Sequence, residues 1–150
     1  MASLDIRPGE PPRLGRCLFA RTYPSRVDRK QAVLDEIAHE LISRGWIQPE
    51  DEHWLALCLD EAVVNAMLHG NEGDPDLDIS VALYHDVARW ALIVCDQGDG
   101  FTADSLPDMD DPESLLLEHG RGIRIMRQWL DELVYYRNGA CAVLVRTCLK

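Results

Sequence analysis

One helix-like segment, Leu59–Asn71, constrains this chain more than any other. Its sequence, LDEAVVNAMLHGN, has the length and the Ala, Val, Leu and Met content of a buried helix. Three polar residues nevertheless recur in it at intervals of four: Glu61, Asn65 and His69. Because each step of four residues advances only about 40° around a helix axis, these side chains are predicted to form one narrow polar stripe.

The neighbours of the polar stripe indicate that it faces a cavity. A solvent-exposed helix face is broad and charged, whereas this stripe is narrow and has aliphatic residues on both sides. Those residues are Leu57, Val64 and Leu68 on one side and Leu55, Ala62 and Ala66 on the other. Buried polar groups need partners, so the stripe is expected to face something polar. Taken alone, the segment leaves two alternatives open: Glu61 and Asn65 bond to backbone groups in the core, or the helix edge is hydrated.

Length and charge limit the partners of the chain. It has 150 residues, 47% of them hydrophobic, which suits one compact domain with a full core. Its formal net charge is −11, whereas a nucleic-acid partner needs a positive face. No apolar run reaches the roughly 18 residues that span a bilayer, and the N-terminal sequence lacks the apolar centre of a signal peptide. We therefore expect a cytoplasmic protein that binds neither nucleic acid nor membrane directly.

The cysteines are predicted to be reduced. There are five of them, with no C-x-x-C pair: Cys17, Cys58, Cys95, Cys141 and Cys148. An odd number of scattered cysteines in an intracellular chain indicates mostly buried thiols rather than a disulfide framework or a zinc site.

The order of predicted elements defines the fold class. Residues 1–15 are rich in Pro, Gly and Arg and are interpreted as a flexible tail, followed by a single domain over residues 16–150. Hydrophobic periodicity predicts strands over 16–23, 77–85, 88–96, 132–137 and 140–149, and helices over 26–45, 50–70 and 123–133. The last two strands are predicted to meet in a two-residue turn at Asn138-Gly139. This order predicts an α+β fold, a two-layer α/β sandwich whose mixed, mostly antiparallel sheet has helices on one face.

A second feature follows a buried strand, in the sequence VCDQGDGF. Asp96 ends the strand, and Gly98 and Gly100 follow at alternate positions. Glycines there allow a backbone to approach a ligand closely, and a carboxylate at a strand end can accept a hydrogen bond from an exocyclic amine. The alternative is an ordinary turn.

A third feature opens the last helix, in the sequence HGRGIRIM. Gly120 and Gly122 precede the helical run, and Arg121 and Arg124 lie beside them. Free N–H groups and the positive end of the helix dipole bind anions, and arginines suit phosphate oxygens. The alternative is a flexible helix entry with solvated arginines. Between the second and third features lies a long segment with six acidic residues from Asp104 to Glu118, and a connection of that length is usually functional or disordered.

Several common motifs are absent from the sequence. It contains no G-x-x-x-x-G-K-[ST] loop, no G-x-G-x-x-G fingerprint and no H-E-x-x-H pair. A P-loop enzyme, a Rossmann dehydrogenase and a zinc protease of that type are therefore excluded.

Together, the three features resemble the GHKL (Bergerat-fold) ATPase superfamily. DEAVVNAMLHGN, DQGDGF and HGRGIRIM, in that order, are most similar to the small anti-sigma-factor serine/threonine kinases of bacterial partner-switching systems. Three weak motifs in the right order are far more specific than any one of them. The resemblance extends from about Asp51 to the C-terminus.

The resemblance implies a role for each matching residue. Glu61 corresponds to the catalytic acid that polarises the attacking hydroxyl, and Asn65 to the Mg²⁺ ligand. Asp96 corresponds to the adenine-reading carboxylate, and His69 would line the pocket. The remaining ATP-binding positions would be Gly98 and Gly100 beside the base, and Gly120, Arg121, Gly122 and Arg124 at the phosphates.

The function implied by the resemblance is that of an anti-sigma factor with ATP-dependent serine/threonine kinase activity. Its cofactors would be ATP and Mg²⁺. It would phosphorylate a STAS-type anti-anti-sigma protein and sequester a sigma factor, and it would form a homodimer through its first strand and helix. The alternative is a non-catalytic nucleotide-binding module that regulates a partner by protein contact alone.

Overall fold

A six-stranded sheet forms one layer of the fold. The computed structural model describes residues 4–98 and 122–148 of the chain. The strands are β1 (Leu4–Ile6), β2 (Arg16–Pro24), β3 (Asp78–Asp86), β4 (Arg89–Cys95), β5 (Glu132–Tyr136) and β6 (Cys141–Thr147). They are ordered β1-β5-β6-β4-β3-β2 across the sheet. The β1–β5 pair is parallel and the other four pairs are antiparallel.

Helices cover one face of this sheet and form the second layer. They are α1 (Lys30–Ile42), α2 (Glu52–Val64) and α3 (Gly122–Trp129), and α2 continues as a π-helix over Asn65–Gly70. Short 3₁₀ turns lie at Val27–Arg29, Pro49–Asp51 and Arg137–Gly139. Alternate residues of the central strands pack against the helices in one hydrophobic core. The predicted two-layer α+β sandwich is therefore confirmed.

The N-terminal segment differs from its prediction. The interpretation of residues 1–15 as a flexible tail is wrong for Leu4–Ile6, which pair with β5 at one edge of the sheet. The next strand, β2, lies at the opposite edge, so residues 7–15 must cross the sheet. They cross the face without helices, where Leu14 packs against Ile93, Val143 and their neighbours. Three residues are too short a run to show a strand period, which explains why the sequence did not predict β1.

The prediction of reduced cysteines is also wrong for one pair. Cys95 and Cys141 form a disulfide bond, whereas Cys17, Cys58 and Cys148 are free. The two bonded residues lie opposite each other on β4 and β6. Their sequence separation of 46 residues hides this proximity, because only the sheet register brings them together.

The connection between β5 and β6 is longer than the predicted two-residue turn. Tyr136 and Cys141 are the last paired residues, which leaves residues 137–140 as the loop. Arg137 and Asn138 both have positive φ angles, of 52° and 59°. The N-terminal segment fastens this loop, because the backbone N–H groups of Arg137 and Asn138 donate to the carbonyls of Gly9 and Arg7 at 2.8 and 2.9 Å.

None of the helices in the described ranges is long and apolar enough to cross a membrane.

Candidate functional site

The polar stripe lies along α2 and its π-helical continuation. Glu61 and Asn65 are half-buried, and His69 is exposed. The predicted aliphatic wall is continuous on one side, where Leu55, Ala62 and Ala66 are buried in the core. It is incomplete on the other side, because Leu57 and Leu68 are 44% and 43% exposed. The stripe therefore follows the boundary between core and solvent rather than a closed cavity.

The π-helix changes the end of the stripe. The backbone N–H of Asn71 donates to the carbonyl of Ala66, five residues earlier, at 2.9 Å. This wider turn takes His69 out of the α-helical register that the sequence predicted. Single π-helical turns are frequent at functional sites, and this one leads directly into the glycine that contacts Asp96.

Glu61 lies against the start of α3. A Cβ atom placed on Gly122 would be 1.6 Å from Cδ of Glu61, so the carboxyl group occupies the space that a side chain would take. The first backbone N–H groups of a helix lack intrahelical partners, and its N-terminus has a partial positive charge. The predicted anion-binding end of α3 and the predicted catalytic acid are therefore in direct contact.

Burial raises the pKa of Glu61 above its ordinary value, and the Asp60 carboxylate raises it further. The Asn65 amide and the His69 imidazole oppose that shift, but the pKa remains raised. A carboxylate of raised pKa is a better proton acceptor than a solvated one, which is the property that general-base catalysis requires.

Asn65 places an unsatisfied polar atom at the same point. Its amide nitrogen is buried and has no hydrogen-bond partner in the described part of the chain. Rotation of the amide by half a turn exchanges its nitrogen and oxygen, so this position can also offer an oxygen to a cation. Hard cations such as Mg²⁺ prefer oxygen ligands of this kind. Residues 4–98 and 122–148 contain no group of three His, Cys, Asp or Glu residues that could hold a metal ion.

Asp96 forms a second polar centre at the end of β4. It is 6% exposed, and its Oδ1 accepts a hydrogen bond from the Gly98 N–H at 2.8 Å. Burial raises the pKa of Asp96 to about 6, although the Gly98 N–H and the Arg137 guanidinium oppose the shift. Asp96 is thus a buried carboxylate whose remaining acceptor capacity is available to a ligand.

Two glycines make room for this carboxylate. A Cβ atom on Gly70 would lie 2.0 Å from Oδ2 of Asp96, and one on Gly98 would lie 2.3 Å from the Gly70 carbonyl oxygen. A larger residue at position 70 would displace the Asp96 carboxylate, and one at position 98 would displace the backbone of Gly70. The sequence analysis assigned a role to Gly98 but missed Gly70, although Gly70 directly follows the polar stripe.

Three further neighbours of the site were missed by the sequence analysis. Asn71 is 1% exposed and hydrogen-bonds to the Gln97 backbone beside Asp96. Burial raises the pKa of the Tyr135 hydroxyl on β5, and the nearby Glu61 carboxylate raises it further. Arg137 of the β5–β6 loop lies near Asp96. Asn71 could have been found from the sequence, because it lies next to the polar stripe. Tyr135 and Arg137 could not, because only the order of the strands in the sheet brings them to the site.

Three predicted site residues, Gly100, Gly120 and Arg121, lie outside the described residues. Of the other residues predicted at the phosphates, Gly122 is buried against Glu61 and Arg124 is exposed in the first turn of α3. The structure thus brings together Glu61, Asn65 and Gly122, and separately Gly70, Asp96 and Gly98.

The fold and the site define a class of protein. A mixed sheet with helices on one face carries two site carboxylates, as expected of a nucleotide-binding α+β sandwich. Glu61 is half-buried at the start of α3, and Asp96 is buried between two glycines. Residues 23–147 match the model of the histidine kinase-like ATPase domain. The chain belongs to this GHKL-type family, whose members bind ATP. No curated protein matches the chain.

Proposed function

We propose that this protein is an ATP-dependent serine/threonine kinase acting as an anti-sigma factor. Its substrate would be a STAS-type anti-anti-sigma protein, and it would hold a sigma factor whenever that antagonist is unavailable. Family membership supports ATP binding. The kinase specificity and the partners are supported by the similarity of its three motifs to the small anti-sigma-factor kinases.

One observation carries the catalytic part of the proposal, namely the contact between Glu61 and the first residue of α3. Phosphoryl transfer depends mainly on positioning and on neutralising charge at the phosphates. A helix N-terminus can bind the transferred group, and a carboxylate beside it can orient and deprotonate the attacking hydroxyl.

Each residue has a defined task in this proposal. A Glu61 carboxylate oxygen accepts the proton of the attacking serine or threonine hydroxyl. The Asn65 amide oxygen would hold Mg²⁺, Asp96 would accept a hydrogen bond from the adenine amine, and Gly98 would leave room for the base. When bound, Mg²⁺-ATP would supply the γ-phosphoryl group to the hydroxyl oxygen, and ADP would leave. Gly100, Gly120, Arg121 and Arg124 would contribute at the base and the phosphates as the family resemblance implies, and exposed His69 would line the entrance.

Replacing the proposed base tests the catalytic role. The protein is incubated with labelled ATP, Mg²⁺ and the candidate STAS protein, and label on serine or threonine is measured. Glu61→Gln should slow transfer by at least about 100-fold because it removes the proton acceptor, while nucleotide affinity changes little. Glu52→Gln is the matched control, because Glu52 is an exposed acid in the first turn of the same helix and is not one of the groups that shift the pKa of Glu61.

Two outcomes would contradict the kinase proposal. Transfer that survives in Glu61→Gln would exclude this residue as the base. Nucleotide binding by the unmodified protein without any transfer to the STAS protein would favour the regulatory module that acts by contact alone.

The proposed homodimer would use β2 and α1. Strand β2 lies at an edge of the sheet, where its second side has no strand partner in the described part of the chain. Such an edge can pair with a second copy. Light scattering with purified protein would measure the mass directly. We also keep cytoplasmic location as part of the proposal.

A further inference from the structure

Asn71 lies where the helix that carries the polar stripe meets the turn that carries Asp96. We infer that Asn71 is a positioning residue that sets the selectivity of the site for the nucleobase. This inference rests on the proposed nucleotide binding, and it assigns a role to a residue for which the family resemblance implied none.

Asn71 joins three parts of the fold through one side chain. Its Nδ2 donates to Oγ of Ser25 at 2.7 Å and to the carbonyl of Asp78 at 3.0 Å. Its Oδ1 accepts from the backbone N–H of Gln97 at 2.8 Å. The side chain therefore connects the segment after β2, the start of β3 and the turn after β4. Asn71 and Ser25 are each 1% exposed, so water does not compete for the bond between them.

The backbone and neighbours of Asn71 strengthen this arrangement. Its own N–H and carbonyl close the end of the π-helix through Ala66 and Asp74. The Gln97 side chain accepts from the backbone N–H of Asp78 at 2.5 Å, which ties the turn to β3 a second time. The turn is thus held from both sides by groups that carry no charge.

The hydrogen bond between Asn71 and Gln97 lies between two close contacts. Gly70, just before Asn71, lies against the Asp96 carboxylate, and Gly98, just after Gln97, lies against the Gly70 carbonyl. A shift of the turn relative to the π-helix would therefore move Asp96 away from its position. The hydrogen bond that the Gln97 N–H donates to Asn71 therefore holds the turn, and with it the neighbouring Asp96 carboxylate, in position.

An amide is the side chain that these three contacts require. It offers two donors at one end and an acceptor at the other, and all of these groups are used here. An aspartate has no donor for the Asp78 carbonyl, and an aliphatic residue has neither group.

The expected consequence is a loss of base selectivity. Adenine presents an amine at the position where guanine presents a carbonyl oxygen, and an accurately placed carboxylate favours the amine. If Asp96 is displaced or loosened, the preference for adenine over guanine nucleotides should fall. The contact between Glu61 and Gly122 at the start of α3 does not involve Asn71 or the turn, so the phosphate contribution to binding should be kept.

Titration calorimetry of the full chain with ADP and with GDP, both with Mg²⁺, measures this preference. Asn71→Ala should reduce the ratio of the two affinities by about tenfold, which is the effect of one lost hydrogen bond between well-placed groups. Ser25→Ala is the matched control, since it removes one partner of Asn71 but leaves the bond to Gln97. It should lower thermal stability while keeping the ratio of affinities.

A second measurement uses the unmodified protein and does not depend on the folding of a variant. Although Gln97 is exposed, its backbone N–H should exchange slowly with deuterium, because it donates a hydrogen bond to Oδ1 of Asn71. Rapid exchange of this N–H would overturn the inference. So would a ratio of ADP affinity to GDP affinity that is unchanged in Asn71→Ala, or one that falls as much in Ser25→Ala as in Asn71→Ala. If the unmodified protein bound neither nucleotide, the proposed function would fail and the inference with it. If it bound ADP but Asn71→Ala kept the same preference, only the inference would fail.

Discussion

At the residue scale, the two site carboxylates have different surroundings and are suited to different tasks. Glu61 is half-buried against the start of α3, with an amide and an imidazole nearby. Asp96 is almost fully buried between two glycines and accepts a backbone N–H. Burial raises both pKa values, but Asp96 has only one backbone donor and the Arg137 guanidinium to counter it. Its protonation therefore falls within an accessible pH range.

Nucleotide affinity should depend on pH through Asp96. The pKa of Asp96 is about 6 in the folded chain, compared with the ordinary value of 3.8 that applies to an unfolded chain. The folded state therefore binds the proton more tightly. Asp96 should therefore add to the free energy of unfolding as pH falls from above 6 towards 4. Binding should change in the opposite direction, because the neutral acid is a weaker acceptor for the adenine amine.

The measurement is the affinity for ADP between pH 7.5 and 5. We expect it to weaken as pH falls through about 6. The Asp96→Asn variant should bind more weakly at pH 7.5 and lose this transition. An affinity that stays constant over this range in the unmodified protein would contradict the proposed role of Asp96.

At the element scale, the N-terminal segment is part of the fold. It adds β1 to one edge of the sheet, crosses the face without helices and fastens the β5–β6 loop. Beneath it, Ile93, Val143 and Val145 are each less than 8% exposed although no helix covers them. Strand β4 is therefore buried on both faces, which matches its continuous hydrophobic sequence.

Deletion of residues 1–15 should uncover this second apolar face. We expect the free energy of unfolding to fall by about 2–4 kcal/mol, since the buried surface of several aliphatic side chains is lost. Urea unfolding measures that change, and binding of a hydrophobic dye reports the exposed face. Arg13→Ala is the control, because this exposed side chain can be removed while the apolar cover stays. A truncated chain as stable as the full one would show that the segment does not stabilise the fold.

At the scale of the whole molecule, the chain folds around one sheet whose centre is cross-linked. The disulfide joins Cys95 of β4 to Cys141 of β6, next to Asp96. It closes a loop over a sequence separation of 46 residues that includes the whole acidic segment and α3. Cross-linking a loop of this size reduces the conformational entropy of the unfolded chain.

Reduction of the disulfide should destabilise the entire domain. Dithiothreitol should lower the free energy of unfolding by about 2–4 kcal/mol in urea titrations. A variant with both Cys95→Ala and Cys141→Ala should be insensitive to the reductant. Cys17→Ser, which removes an exposed free thiol, should keep the full sensitivity. Mass spectrometry that found free thiols at positions 95 and 141 would contradict the prediction.

Much of the fold could be predicted because it depends on local periodicity. The strands at 78–86 and 89–95 and the helix through Glu61 show a hydrophobic period that the neighbouring residues alone determine. The site was partly predictable for the same reason, since helical spacing aligns Glu61 with Asn65. The exposure of Leu57 and Leu68 was not predictable, because it depends on which elements pack beside α2.

The sequence by itself determined most of the helices and strands, the two-layer class and the chemistry of the polar residues, because these follow from spacing and residue type. Only the tertiary structure decided which distant residues meet: Glu61 with Gly122, Gly70 with Asp96, and Cys95 with Cys141. The physical reason is that such contacts arise from strand order and register, which are set by the packing of the whole core. No short window of sequence contains that information.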